Sequence, residues 1–317
     1  MVCKEHQSEV KQEVRQFYDQ VGWKLVSDEI YQNARYEDLR PVAREYIHNC
    51  HLRVARHLQP GIETGKSGML LDAGSGPVQY PEYLEFSRGY RYRVCADISI
   101  TALKEARKRV GEHGLFVVAD IANLPFKADA FDGLVTLHTI HHLPEDEHLK
   151  AFVELQRVLR PGRSGVVVNG WDSSRLMDLA NPFIRFANGL RYAFDRLQRS
   201  GRRAAPQGSE EDAPHQQSSK RSDHRQAGKS KKAYKLETGK GTHTEKHDAA
   251  WVKTAVGSQM PVEILVWRSV TVRFTRALIH PHLGGRFWLR LLYGLEERYP
   301  HFFGEKGKYP LIVIRKS

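Results

Sequence analysis

Five short apolar runs constrain this chain more than any other feature: residues 68–72 (GMLLD), 92–96 (YRVCA), 115–119 (LFVVA), 133–138 (GLVTLH) and 165–170 (GVVVNG), each bounded by turn residues. Runs this short and this continuously apolar are strands buried on both faces. Helix signals lie between them. Pro81–Ser87 fits a short helix, 101–110 sets Leu103, Ala106 and Val110 on one face behind a Ser99 cap, and 144–159 does the same with Leu149, Phe152, Val153 and Val158. Strands alternating with helices imply right-handed crossovers and a parallel sheet covered on both sides.

Two helices are expected ahead of the first strand. Residues 5–18 carry Val10, Val14 and Phe17 at helical spacing, and 41–58 carry Ala43, Ile47, Cys50, Val54 and Leu58, with Pro41 at a first helical position. After the fifth strand, 174–198 reads as a helix, 261–275 as an alternating β-branched strand, 282–298 as an aromatic-rich helix and 309–317 as a last strand. The late strand pair is expected beside strand five. Four regions follow: a helical cap at 1–60, a core at 61–172, a helix with an insertion at 173–260, and a sheet-completing tail at 261–317.

A large share of the charge belongs to that insertion. The formal net charge is +12, and residues 199–250 hold 12 Lys+Arg against 7 Asp+Glu, so 12 − 7 = +5 comes from one segment. From Arg199 to Lys232 it has no bulky aliphatic or aromatic residue, so it cannot bury enough surface to offset its ordering entropy; a disordered insertion near 199–250 is the expectation. A basic tether for RNA or anionic lipid is the functional alternative. Three distant cysteines without a CxxC pair argue against a disulfide framework and against a zinc site, and no run approaches the length of a membrane span. A cytoplasmic protein without metal is the expectation.

The sharpest local signal is LLDAGSGPVQY at 70–80. A strand ending in Asp72 enters a Gly-x-Gly turn whose Gly74 and Gly76 let a ligand approach the backbone closely. Asp97 follows Gly76 by 21 residues at the end of the second strand, where a carboxylate can accept both hydroxyls of an adenosine ribose. This pair fits a nicotinamide dinucleotide or S-adenosylmethionine. The third glycine of a dinucleotide fingerprint is replaced by Gln79, and Pro77 removes a backbone N–H, which counts against a pyrophosphate ligand.

With VVADIANLPFKADAFDGLVTLHTIHHLP at 117–144, and with LDAGSGP, ADIS and RVLRPG at matching spacing, residues 68–170 resemble a class I S-adenosylmethionine-dependent methyltransferase. More narrowly they are similar to the broad group that includes the ubiquinone and menaquinone methyltransferases. The resemblance implies an α/β, Rossmann-like fold: a mostly parallel seven-stranded sheet in the order 3-2-1-4-5, continued by a terminal antiparallel pair. It also implies roles. Asp72 would support the glycine loop and the methionine amino group, Asp97 the ribose, Ile98 one face of the adenine and Asp120 the adenine amine, while Ile121 would donate through its backbone N–H; His138 would face the methionine part. Val78 stands where many members have another glycine, and Arg163 replaces the second glycine of the usual RVLKPGG turn.

Taken singly, Asp72 and Asp120 read as turn caps; in register with Asp97 and the glycines, the ligand reading prevails. Asp132 reads as a turn residue. Methyl transfer from a sulfonium chiefly requires alignment and exclusion of water, so no catalytic residue is obligatory. For acceptors that must lose a proton, the candidate bases are His141 and His142, beyond strand four, and Tyr18, which the resemblance places over the cofactor. Each also has a plain reading as a turn or packing residue. The segment 280–303, with Phe287, Leu291, Leu292 and Leu295, reads as ordinary core, as the wall of an apolar acceptor site, or as a membrane-surface helix. The acceptor is expected to be small or lipophilic. An RNA methyltransferase using the basic insertion, a non-catalytic cofactor-binding module and, last, a nicotinamide enzyme are the rivals.

Overall fold

The computed structural model describes residues 2–23, 25–27, 30–31, 37–58, 68–203 and 242–317. Two compact units divide the chain, 1–187 with 243–317, and 188–242; the sheet and every candidate site residue lie in the first. Seven strands form that sheet: β3 (Met69–Ala73), β4 (Tyr92–Asp97), β5 (Gly114–Val118), β6 (Gly133–Leu137), β7 (Ser164–Val168), β8 (Val262–Arg268) and β9 (Tyr309–Arg315), in the order β5-β4-β3-β6-β7-β9-β8. The first five are parallel, and β9 runs antiparallel between β7 and β8. A two-residue-deep hairpin of β1 (Leu25–Ser27) and β2 (Ile30–Tyr31) stands apart from it.

Alternation along the strands divides the interior into two layers. Leu71, Ala73, Val94 and Leu134 meet Ala151, Phe152, Leu155 and Val158 of α4 (His148–Val158) on one face. Leu70, Cys95, Val135 and Val166 meet Val54 of α2 (Arg44–Arg56) and Leu103 and Ala106 of α3 (Ile100–Val110) on the other. Both faces are dry, which is why the strands read as unbroken apolar runs. Ser99 caps α3 by accepting from the Ala102 N–H at 3.0 Å.

Local expectations fail in three places. Pro41 lies in a turn and α2 begins at Arg44. The strand expected over 261–275 ends at Arg268; Thr271 then accepts from the Phe274 N–H and starts helix α6 (Val272–Leu278), so a cap overrides the β-branched pattern. The insertion expected at 199–250 falls mainly on 204–241, outside the described residues. At its ends, 199–203 continue α5 (Arg175–Arg203), and 243–250 belong with the first unit, held where the Glu245 N–H donates to the His141 carbonyl at 2.9 Å. A stretch without large aliphatics is fixed here by backbone bonds, which leave no hydrophobic trace in sequence. Helices α7 (Gly285–Arg298) and α8 (Pro300–Lys306) complete the chain before β9.

A buried ionic junction ties the late helices to α2. Arg53 donates to Glu296 at 2.7 Å and to the Trp267 carbonyl at 2.8 Å, while Tyr46 and Ser269 donate to the same Glu296 carboxylate. Removing one member would strand the others in a dry interior.

Candidate active site

The carboxyl ends of the strands gather nearly all the candidate residues. β3 delivers the chain into a turn with Gly74 at φ 72° and Gly76 at φ 54°, and Val78 follows at φ 54°. A β-branched residue in that region is strained by roughly 1–3 kcal/mol. A Cβ on Gly74 would strike Thr139 at 2.3 Å, and one on Gly76 would meet the Trp23 ring at 3.0 Å. The glycines therefore admit the end of β6 on one side and an indole on the other; neither Thr139 nor Trp23 was expected from sequence.

Asp97 ends β4. Its two oxygens accept from the Gly76 N–H and the Ser99 N–H, each at 2.8 Å, and burial pushes its carboxyl up to about 6 against those two bonds. Asp72 is buried on the same layer as Arg93 and takes both Arg93 Nε, at 3.0 Å, and Nη2 into one oxygen. Arg93 also donates to the Tyr83 carbonyl, so this ion pair joins β3 to β4 and to the segment 81–87. Asp120, beyond β5, accepts from Lys11 at 2.6 Å, Asn123 at 2.7 Å and the Ala122 N–H at 3.0 Å; burial opposes ionisation, but these partners hold it below the usual carboxylate range. Lys11, on α1 (Val2–Phe17), also lies 2.5 Å from Glu147. Ile121 is buried in the core and Ile98 is half-buried beside Asp97. Asp132 accepts from Met69 N and Arg160, as a strand-joining turn residue does.

Past α1, the wide turn Tyr18–Gly22 brings the cap onto the sheet edge. Tyr18 stacks on Trp23 with centroids 5.0 Å apart, and its hydroxyl lies 2.8 Å from His142 Nε2. His142 Nδ1 lies 2.9 Å from the His243 carbonyl. A carbonyl only accepts, so Nδ1 carries the proton, Nε2 presents its lone pair, and Tyr18 donates. Burial lowers His142 to about 4, which keeps the ring neutral near pH 7. Two candidates 124 residues apart thus form one pair. His141 is turned inward onto Asn169, and burial with its neighbouring histidines lowers it well below the ordinary value.

His138 departs from expectation. At φ 56°, its ring is turned toward Trp267 (5.0 Å) and Tyr309 (5.9 Å), the β8 and β9 side of the edge. There Glu37 lies 3.2 Å from His51 and 3.4 Å from Arg268, whose guanidinium sits 4.8 Å from the Trp267 and Tyr309 rings. Burial would raise Glu37, but His51 and Arg268 reverse this and hold it at about 2; burial and Arg268 depress His138 to about 3. His51 Nδ1, Arg268 Nε and Trp267 Nε1 are buried without a hydrogen-bond partner among the described residues. Among the described residues no three His, Cys, Asp or Glu side chains group as a metal ion would need.

Residues 71–167 match the methyltransferase domain family model. By sequence, this segment carries a methyltransferase domain. Over 115 residues the chain is 30% identical to methyltransferase GfsG of Streptomyces halstedii, covering 35% of this chain and 40% of that protein. Over 143 residues it is 29% identical to a tRNA (carboxymethyluridine(34)-5-O)-methyltransferase of Arabidopsis thaliana, covering 41% and 33%. The matches thus span less than half the length of either relative. Geranyl diphosphate C-methyltransferase of Streptomyces coelicolor shares the fold, with TM-score 0.51, 13% identity, and 97% and 98% of the two chains covered. So does the [4+2]-cyclase SpnF, with TM-score 0.51, 15% identity, and 96% of each chain covered. The methyltransferase domain takes S-adenosylmethionine as its cofactor, and the glycine turn with a half-buried Asp97 carboxylate at its rim suits a nucleoside.

Proposed function

We propose that this protein transfers a methyl group from S-adenosylmethionine to a small or lipophilic acceptor bearing a nucleophile that loses a proton, in the cytoplasm. Asp97 takes the ribose hydroxyls, Asp120 and the Ile121 N–H the adenine, and Asp72 acts through the strands it joins. The observation that carries the acceptor side of this reading is the Tyr18–His142 hydrogen bond of 2.8 Å at the strand edge. Bound there, the cofactor supplies a methyl group already attached to a good leaving group.

The residues of this chain then have two tasks. Tyr18 and Trp23 cover the glycine turn and exclude water, which favours transfer to the acceptor over hydrolysis. The Tyr18 oxygen accepts the acceptor's proton as its own hydroxyl proton passes to His142 Nε2, and the His243 carbonyl holds the ring in the tautomer that permits this. A weak base suffices, because the acceptor becomes strongly acidic only as its new bond forms. The unpaired His51, Arg268 and Trp267 atoms supply hydrogen bonds to a polar end of the acceptor, and the surrounding aromatic rings supply its apolar wall.

Two measurements test this. Adenosylmethionine and adenosylhomocysteine should each stabilise the protein against heat while NAD does not; at 100 times its dissociation constant a ligand adds about 2.7 kcal/mol. Release of adenosylhomocysteine is then followed with phenols, quinols and bulk tRNA as acceptors. Turnover with tRNA alone would replace the small-acceptor reading by the RNA one, and cofactor binding without turnover on any acceptor would favour a binding module.

A further inference from the structure

Helix α7 is amphipathic in an unusual sense. Its inward residues Leu289, Leu292 and Tyr293 pack in a shared core with Val42, Tyr46 and Ile47, and Glu296 is fully buried in the Arg53 junction. A helix seated this way normally turns polar residues to solvent. Here Phe287, Trp288, Leu291 and Leu295 face out, followed by Tyr299 and Phe302, all between 42% and 63% exposed. Helical spacing sets the first four on one side of α7. On α5, whose Leu176, Met177 and Ala180 join the same core, Leu179, Phe183 and Phe186 are likewise exposed.

Charge selects the occupant. Arg286 and Arg298 are exposed and make no ion pair among the described residues. The nearby carboxylates are already engaged, Glu296 by Arg53 and Glu297 by Arg53 and Arg56. The strip is therefore apolar with a basic border. A second copy packed face to face would set these arginines against themselves. Residues 204–241 offer only Tyr234 and Leu236 as large apolar side chains, and are themselves basic. Aromatic and leucine side chains flanked by unpaired arginines suit the boundary between acyl chains and anionic headgroups.

We propose that the outer strip of α7 binds the surface of an anionic lipid bilayer, a property independent of methyl transfer. No helix among the described residues is long and apolar enough to cross a membrane, so the contact is a surface one. The full-length protein should co-sediment with equimolar phosphatidylcholine–phosphatidylglycerol vesicles, far less with phosphatidylcholine alone, and less as salt rises. Trp288 emission should shift to the blue, and Trp288→Phe should remove that shift. Combining Phe287→Ser, Trp288→Ser and Leu291→Ser should weaken binding about a hundredfold, and Arg286→Glu with Arg298→Glu about tenfold. Adenosylmethionine should stabilise every variant as it does the parent, which separates this proposal from the cofactor reading. No partition onto anionic vesicles, equal partition of the triple-serine variant, or a dimer in sedimentation velocity that the triple-serine variant dissolves would overturn it.

Discussion

The two halves of the strand edge are built differently. On the β3–β4–β5 side, the groups that would face the nucleoside are carboxylates at strand ends and N–H groups of the turns beside them, and their partners lie near in sequence: Asp97 bonds Ser99 two residues on and Gly76 21 residues back. On the β7–β9–β8 side, Glu37, His51, His138, Arg268 and Tyr309 meet from five separated segments, and His51 Nδ1 and Arg268 Nε have no hydrogen-bond partner among the described residues. The first half is a preformed cradle held by backbone. The second is a set of side chains whose arrangement depends on the whole fold, so it can change acceptor without disturbing the cradle.

Breaking the cradle's foundation should have the largest effect. Arg93→Met leaves Asp72 buried without its cation and should cost about 3–5 kcal/mol in denaturant-induced unfolding. Asp97→Ala should leave the fold intact but weaken adenosylmethionine by roughly a hundredfold, read by calorimetry, because two charge-assisted hydrogen bonds are lost. In the parent, affinity should fall as pH drops through about 6, where Asp97 takes up a proton. Retained affinity in the alanine variant would remove the ribose assignment.

The other half should respond in turnover rather than in cofactor affinity. Tyr18→Phe and His142→Gln should each lower kcat by about a hundredfold with adenosylhomocysteine binding unchanged. The parent's rate should stay level above about pH 5 and fall as pH drops through about 4, the value to which burial lowers His142. Stability carries the same signature. His138 and His142 are lowered to about 3 and about 4, so as pH falls below 6.5 the unfolded chain takes up protons that the fold refuses. The free energy of unfolding should decline across that window, by about 1.4 kcal/mol per pH unit for each histidine, and His142→Gln should flatten the slope. The smallest effect belongs to the cap: Lys11→Met should cost about 1 kcal/mol or less in thermal unfolding.

Sequence made the cradle legible because its chemistry is local. A strand, a glycine turn and an acid at fixed spacing leave their mark in any order-preserving reading, and the apolar runs gave the sheet. Tyr18 and His142 were each visible as candidates, but only the wide turn after α1 puts one on the other. The role of residues 243–250 was hidden because their contacts to His141 and His142 are made by main-chain atoms, which any residue type supplies. His138 was expected to end the fourth strand; it stands one residue past β6, where its positive φ turns the ring toward Trp267. Trp267 and Arg268 looked like ordinary strand residues. Their significance depends on Glu37 and His51, more than 200 positions away, and no spacing rule reaches that far.

Lys11 stands between Asp120 and Glu147, so one ammonium serves two acids on neighbouring segments. Clipping the chain after residue 11 would leave those acids facing each other, and the shortened protein would have to recruit sodium, potassium or a hydronium from the buffer to take the ammonium's place. A protein indifferent to ionic strength when whole would become sensitive to it when trimmed.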